Sequence, residues 1–500
     1  MTPTSLALAC AIALTVTAAE GASVATGTQQ TVRGIGASGA WWVNDLAHFP
    51  DSVRQNVSEL LFNPTTGLGL TDWRYNLGGG GVGVTNPSRV AETPYISDGV
   101  YDFSADAAGI YYLKEAVRHG VPIITLFVNS APTAFTSNGQ NCGGSLNIGR
   151  LPAYAQYIAD VVSYWKTQGI VFTHVSPMNE PDNSFSGCGQ EGMSVNILQR
   201  GQVLQAVASA LSNAGLTTKV IGDETSWALQ FAVEAPLWLD SHVGTLLDGV
   251  AHHQYNFLPG PLQAVMTAEA RSLSGGKLTW STEICCFKEL LDSDANDPLS
   301  LVDFGAKYDP TMVGGLRMAL LIHQALADAE DEHWDWWTAL SSSLGSCTPA
   351  SNASCVGDVN YNGWEDGLIY YDPNFATDSN FNIYLTKRYQ VLKHYSRAVP
   401  YGAILRNVST SILGSESRWR VVMFDYPQAG TPYALVAMNA QAAEGSITIT
   451  GVDGFTIPSP KIAFRTSVDE DYAQISTPAT ASDGSLSISA PAMSIYTLFF

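Results

Sequence analysis

Positive charge is scarce in this chain. Its 500 residues hold 24 Lys and Arg against 45 Asp and Glu, a formal net charge of -21. Such a surface repels phosphate backbones and anionic lipid headgroups, so no nucleic acid and no membrane is expected as a partner. Charged residues of both signs make up only 14%, while apolar residues reach 46% with 12 Trp, 21 Tyr and 18 Phe, which excludes extended disorder. No run approaches the roughly 20 apolar residues of a bilayer span. His-Glu-x-x-His, paired Cys-x-x-Cys and Ca²⁺-loop patterns are missing, so nothing demands a metal or a cofactor. Gly-x-Ser-x-Gly is missing too, which argues against a serine esterase of the α/β-hydrolase kind. No internal repeat stands out, so solenoids and propellers are excluded. Gly78, Gly80 and Gly83 have dinucleotide-fingerprint spacing, but Pro87 follows and no helix opens there. They read as a flexible loop that lets a substrate approach the backbone.

An apolar run from Leu6 to Val16, followed by Thr17, Ala18 and Ala19, reads as a secretory signal over residues 1–19, although no Lys or Arg precedes Arg33. Its removal takes Cys10 with it. Cys142, Cys188, Cys285, Cys286, Cys347 and Cys355 remain, an even set suited to an oxidising compartment. Sequons at Asn56, Asn352 and Asn407 fit a secreted, extracellular glycoprotein. Cys347 can pair with Cys355, and Cys142 with Cys188 if their loops touch. Cys285 and Cys286 either join each other or find separate partners.

Residues 33–397 alternate short β-branched or aromatic runs with helical patterns, the signature of an α/β fold with a parallel sheet. The runs are Val32 to Ser38, Leu68 to Asn76, Pro122 to Asn129, Phe172 to Met178, Lys219 to Asp223, Gly249 to Tyr255, Lys277 to Glu283 and His333 to Thr338. Helical periodicity marks Pro152 to Lys166, Met193 to Ala214 and Thr311 to Ala329. The acidic stretch Asp328 to Asp335 reads as a solvated helix end, with a Ca²⁺ site as the alternative. Eight strands with intervening helices predict a (β/α)8 TIM barrel. Residues 398–500 carry strand alternation such as Ser446-Ile-Thr-Ile-Thr450, with turns at Asp453-Gly454 and Asp483-Gly484, and predict an antiparallel β-sandwich. Residues 20–32 are expected to pair with it.

In such a barrel the chemistry sits where strands end. Glu180 follows the fourth run in Ser176-Pro-Met-Asn-Glu-Pro181, and Glu283 ends the seventh. Two carboxylates facing each other across a barrel mouth can cleave a glycosidic bond, one protonating the departing oxygen and the other attacking the anomeric carbon. Asn179 is placed to hold a sugar 2-hydroxyl. Tyr255 can keep a nucleophilic carboxylate ionised. Alternation on the sixth strand turns His253 and Tyr255 to one face and His252 to the other, where it packs.

The run Asn179-Glu-Pro-Asp182, Glu283 after the seventh strand and a Trp-rich eighth strand resemble clan A glycoside hydrolases. With the β-sandwich tail, the chain resembles glycoside hydrolase family 30. Gly34-Ile-Gly-Ala-Ser-Gly-Ala-Trp-Trp42, Trp73-Arg-Tyr-Asn-Leu-Gly-Gly-Gly-Gly81, Cys188-Gly-Gln-Glu-Gly192 and Trp280-Ser-Thr-Glu-Ile-Cys-Cys286 are similar to the fungal endo-β-1,6-galactanase branch. The resemblance implies a retaining mechanism with Glu180 as general acid/base and Glu283 as nucleophile, held by Arg74. It places Trp336 as the platform beneath the sugar, with Trp337 and Trp42 lining the walls. Ala131 and Phe135 stand where the family pattern has a proline and a tryptophan. The implied protein is a secreted, cofactor-free monomer acting on a polysaccharide or oligosaccharide. A β-1,6-glucanase or xylanase of the same family is an alternative, and a non-catalytic carbohydrate-binding protein is the alternative from another class.

Overall fold

The computed structural model describes residues 20–291, 293–411, 417–425 and 432–500. The expected leader, with Cys10, lies outside the described residues. Among those described, no helix is long and apolar enough to cross a membrane. Eight parallel strands close into a barrel: Gly34–Ser38, Asp72–Asn76, Ile123–Phe127, His174–Ser176, Lys219–Thr225, Leu247–His253, Thr279–Glu283 and His333–Trp336. The eighth pairs back onto the first through His333 with Gly34 and Trp336 with Ala37. All eight overlap the β-branched and aromatic runs of the sequence, with the fifth extending two residues past its run and the sixth starting two residues before its own. Helices wrap the outside, among them Leu151–Thr167, which buries Tyr154, Ile158, Val161, Val162 and Trp165 on one stripe.

Two helical expectations are corrected. Met193 to Ala214 is not one helix: Met193–Ser194 pairs with Gly144–Ser145, and the helix proper is Arg200–Asn213. Asn196 explains the break, because its side chain accepts the Leu198 N–H and caps a separate turn there. Nor is Asp328 to Asp335 a solvated helix end. The α-helix stops at His323, a π turn covers Gln324–Asp328, and Asp331 and Asp335 are fully buried.

Strand one explains how the barrel floor holds charge. A Cβ on Gly36 would lie 2.3 Å from Asp335 Oδ1 and 2.7 Å from the Asp72 carbonyl, and one on Gly34 would lie 2.3 Å from the His333 ring. Glycine therefore makes room for His333, whose Nε2 meets Asp72 at 3.0 Å and Asp335 at 2.9 Å while the ring stacks on Trp280. Burial works against charging this ring, but the two aspartates overcome it and raise the group to about 10. Gly36→Ala should cost about 1–3 kcal/mol through overpacking. Thermal unfolding checks this, and an unchanged midpoint would sink the explanation.

A nine-stranded sheet follows the barrel. The strand Glu20–Val32 lies inside it, antiparallel to Ala403–Ser411 and parallel to Gly445–Gly451. The sheet folds over its own core, where Trp419, Met423 and Leu435 from one half meet Ile447 and Leu486 from the other. Alternation on Trp419–Asp425 sends Val422 and Phe424 to the opposite face, into the main barrel core. The β-sandwich thus shares continuous apolar packing with the barrel.

Candidate active site

A cleft of about 280 Å³ opens at the C-terminal ends of the barrel strands, with Glu180 and Glu283 in its lining. Glu283 ends strand seven. Its Oε2 accepts a hydrogen bond from Arg74 Nη1 at 2.9 Å, and its Oε1 accepts one from the Tyr255 hydroxyl at 2.6 Å. Arg74, at the middle of strand two, is fully buried and also donates to Ser38 Oγ at 2.8 Å and to Glu224 at 3.1 Å. Glu180 sits at φ 45°, a left-handed conformation, four residues beyond the last residue of strand four. Its Oε1 lies 3.2 Å from His253 Nδ1, and that nitrogen is 3.8 Å from Glu283 Oε1. One oxygen of each glutamate falls within 4.8 Å of the other.

The two carboxyls are unequal. Glu180 is pushed well above the ordinary glutamate range, first by burial and then by the negative charges of Glu283, Asp182 and Glu224. Burial raises Glu283 as well, but Arg74 and the Tyr255 hydroxyl pull it back down. The proton of the pair therefore belongs on Glu180 and the charge on Glu283. His253, buried and facing Arg74 and His252, is held well below its usual value and stays neutral. His252 turns away and meets Asp331 at 3.1 Å.

Asn179 lines the cleft and is buried, with an Oδ1 that has no protein partner. The neighbouring tryptophans divide otherwise than expected. Trp336 is fully buried behind the wall, its indole N–H donating to the Asp366 carbonyl at 2.8 Å, and Trp337 lines the cleft in its place. Likewise Trp42 packs into the core against Tyr112 and Trp73, while Trp41, at φ 69°, faces the cleft and meets Trp337 edge-on at 4.9 Å. At the far side stands Phe304, on a short hairpin of Phe287–Glu289 with Val302–Phe304, 5.4 Å from Tyr255. Trp227 and Trp364 flank it. Trp41, Phe304, Trp227, Trp364 and Asn129 are lining residues that sequence reasoning did not select. Glu224 lies one residue past the fifth run, Lys219 to Asp223, and the strand itself continues to Thr225.

All three cysteine pairs close as disulfides: Cys142 with Cys188, Cys285 with Cys286, and Cys347 with Cys355. The first staples the loop that brings Asn183, Phe185 and Gln190 to the cleft, and the second lies in the cleft wall just beyond Glu283. The glycine loop does not line the cleft. Gly79 and Gly81 donate their N–H groups to buried Glu191, whose carboxyl burial raises to about 8. Ala131 and Phe135 are buried behind the surface, so the departure at those positions leaves the cleft lining to Asn129 of that loop.

Among the described residues, two groups bring donor atoms close enough to hold a metal, Asp72 with His333 and Asp335, and Glu180 with His253 and Glu283. In the first, the charged His333 ring has no lone pair to offer. The second is the glutamate pair itself.

Residues 22–238 match the family described as O-Glycosyl hydrolase family 30, a span that includes Glu180 and stops before Glu283. An exo-beta-1,6-galactobiohydrolase of Bifidobacterium longum subsp. longum is 34% identical over 97 residues, which is 18% of this chain and 6% of that protein's length. A conserved exported protein from Bacteroides fragilis shares the fold with a TM-score of 0.79 at 20% identity, over 96% of this chain and 100% of the other. The catalytic domain of xylanase C from Talaromyces cellulolyticus does so with a TM-score of 0.69 at 21% identity, over 96% and 99%.

Proposed function

We propose, of a chain whose residues 22–238 match O-Glycosyl hydrolase family 30, that it is a member of that family and a secreted, retaining endo-glycosidase hydrolysing β-1,6-galactan side chains of arabinogalactan. The observation that carries this is the pair Glu180 and Glu283, with oxygens within 4.8 Å of each other and unequal hold on a proton. Retaining glycosidases separate their carboxyls by about 5–5.5 Å, whereas inverting ones need a wider gap for water. Glu283 attacks the anomeric carbon as Glu180 protonates the leaving oxygen. Water, deprotonated by Glu180, then releases the sugar from Glu283 with its configuration restored. Asn179, with its free Oδ1, receives the 2-hydroxyl, and Trp337 and Trp41 supply the apolar wall against which the ring packs.

Trp227, 40% exposed at the rim, extends the aromatic lining beyond the catalytic sugar and supports internal cleavage of a longer chain. The sequence motifs and the partial likeness to the galactobiohydrolase support galactan as substrate. Three disulfides and exposed Asn56, Asn352 and Asn407 support an extracellular, glycosylated protein. Its surface charge keeps it from nucleic acid and anionic membranes, and the site is complete within one chain, as a monomer requires.

Incubation with β-1,6-galacto-oligosaccharides and β-1,6-gluco-oligosaccharides, following product anomers, tests this. Release of β-configured galacto-oligomers is expected. Cleavage of the glucan alone would replace the substrate, an α-configured first product would overturn retention, and binding without cleavage of either would leave a carbohydrate-binding protein. The pH profile should be a bell: activity is lost as pH falls through the Glu283 value and as it rises through the Glu180 value. Because burial raises both groups, both limbs should lie above those of an exposed glutamate pair.

A further inference from the structure

One buried residue bonds Glu180 directly and shares with Glu283 the guanidinium of Arg74. Glu224 belongs to the fifth barrel strand, Lys219–Thr225, and is fully buried. Its Oε1 accepts from Arg74 Nη2 at 3.1 Å and its Oε2 from the Ser176 hydroxyl at 2.7 Å. The other terminal nitrogen of the same guanidinium donates to Glu283 at 2.9 Å. Meanwhile the main-chain carbonyl of Glu224 accepts the N–H of Glu180 at 3.1 Å. Both residues joined by that bond are left-handed, Glu224 at φ 64° and Glu180 at φ 45°. Non-glycine residues hold such conformations only where their surroundings over-determine them. The side chain of Glu224 thus reaches the nucleophile through Arg74, and its backbone holds the acid.

We propose that Glu224 is a positioning residue for the reaction: its backbone fixes where Glu180 stands relative to Glu283, and its carboxylate takes a share of Arg74 that would otherwise go wholly to the nucleophile. The inference rests on the assignment of Glu180 as acid/base and Glu283 as nucleophile. A guanidinium divided between two carboxylates stabilises each less than it would one alone, so the nucleophile stays basic enough to attack while remaining ionised. The other groups facing this cluster are Asp335 across Arg74 from strand eight, Asp182 beyond Glu180, and His253 and Tyr255 from strand six. Asp223, next to Glu224, points away to Arg200 at 2.7 Å. Burial is the largest influence on both catalytic carboxyls, and the Glu224 charge adds to it in the same direction in each.

Two substitutions separate charge from geometry. Glu224→Gln keeps the shape and removes the charge, so both limbs of the kcat/KM profile should move to lower pH. Glu224→Asp keeps the charge and shortens the reach, so the limbs should stay while kcat falls about a hundredfold, with KM little changed, as an ångström-scale misplacement predicts. Carbon NMR titration of isotope-labelled glutamate should show the same downward shift of the Glu180 and Glu283 carboxyls in Glu224→Gln, and needs no turnover. If Glu224→Gln does not fold, Ser176→Ala, which loosens one bond to Glu224, should lower kcat in the direction of Glu224→Asp. Profiles and titrations that superimpose on the parent, with only thermal stability reduced, would overturn the proposal and leave Glu224 a structural ion-pair partner. A parent that turns over no oligosaccharide would instead count against the glycosidase reading, while the titration still decides the role of Glu224.

Discussion

Glu283→Gln is expected to lower kcat on the cleaved oligosaccharide by roughly ten-thousandfold or more, a loss of the size seen when a covalent nucleophile is removed, while Kd stays within a few-fold. An amide cannot form the glycosyl ester, yet it matches the carboxylate in shape and still accepts from the Tyr255 hydroxyl, now 2.6 Å away. Arg74 retains Glu224 and Ser38 as partners, so the fold should survive the change. Single-turnover kinetics and calorimetric binding on the same preparation check both halves. Activity retained within tenfold would remove Glu283 from the mechanism, and loss of binding together with activity would point to a collapsed site instead.

Arg74→Met should show the second large effect, on stability and on pH dependence together. The substitution leaves Glu283 and Glu224 facing each other in the barrel interior without their shared cation. Removing one partner of a buried ion pair costs about 3–5 kcal/mol. Arg74 pulls both catalytic carboxyls down, so its loss raises both, and the whole activity bell should move to higher pH. The sign for stability follows. A carboxyl whose folded value lies above its unfolded one favours the fold most when protonated, so the deficit should be largest at neutral pH and shrink as the solution is acidified. Denaturant titrations at several pH values measure it. A deficit independent of pH would mean that the lost packing of the Arg74 guanidinium over the Phe127 ring matters more than its charge.

The barrel was legible because each strand is a short β-branched or aromatic run between helical patterns, and closure follows from their number. The glutamates were legible because both lie at the C-terminal end of a strand run, Glu283 as the last residue of strand seven and Glu180 four residues past strand four. What the sequence hid is which of two neighbouring residues near a strand's end faces the cleft. On a strand, neighbouring side chains alternate, so Trp336 and Trp337 must face opposite ways, but which faces the cleft depends on the phase, and strand eight ends at Trp336. Trp41 and Trp42 pose the same problem, settled by the positive φ of Trp41, which no periodicity announces. Phe304, on a short hairpin outside the barrel, and Trp364, in a loop, carry no pattern that marks them as lining residues. The glycine loop misled for a related reason: glycine tolerates close approach by anything, and here the neighbour is a buried glutamate of the chain itself.

The placement of Glu20–Val32 within the nine-stranded sheet has a consequence in time. That strand is the first described segment to be synthesised, yet its two neighbours, Ala403–Ser411 and Gly445–Gly451, are among the last. At translation speeds of about 5–20 residues per second, it waits on the order of tens of seconds with both edges open and Val24 without the core that will bury it. The barrel strands emerge and can pair during that interval. The sandwich therefore closes last around this early strand, and a truncated product that stops before Ala403 would carry an exposed strand with nothing to pair it.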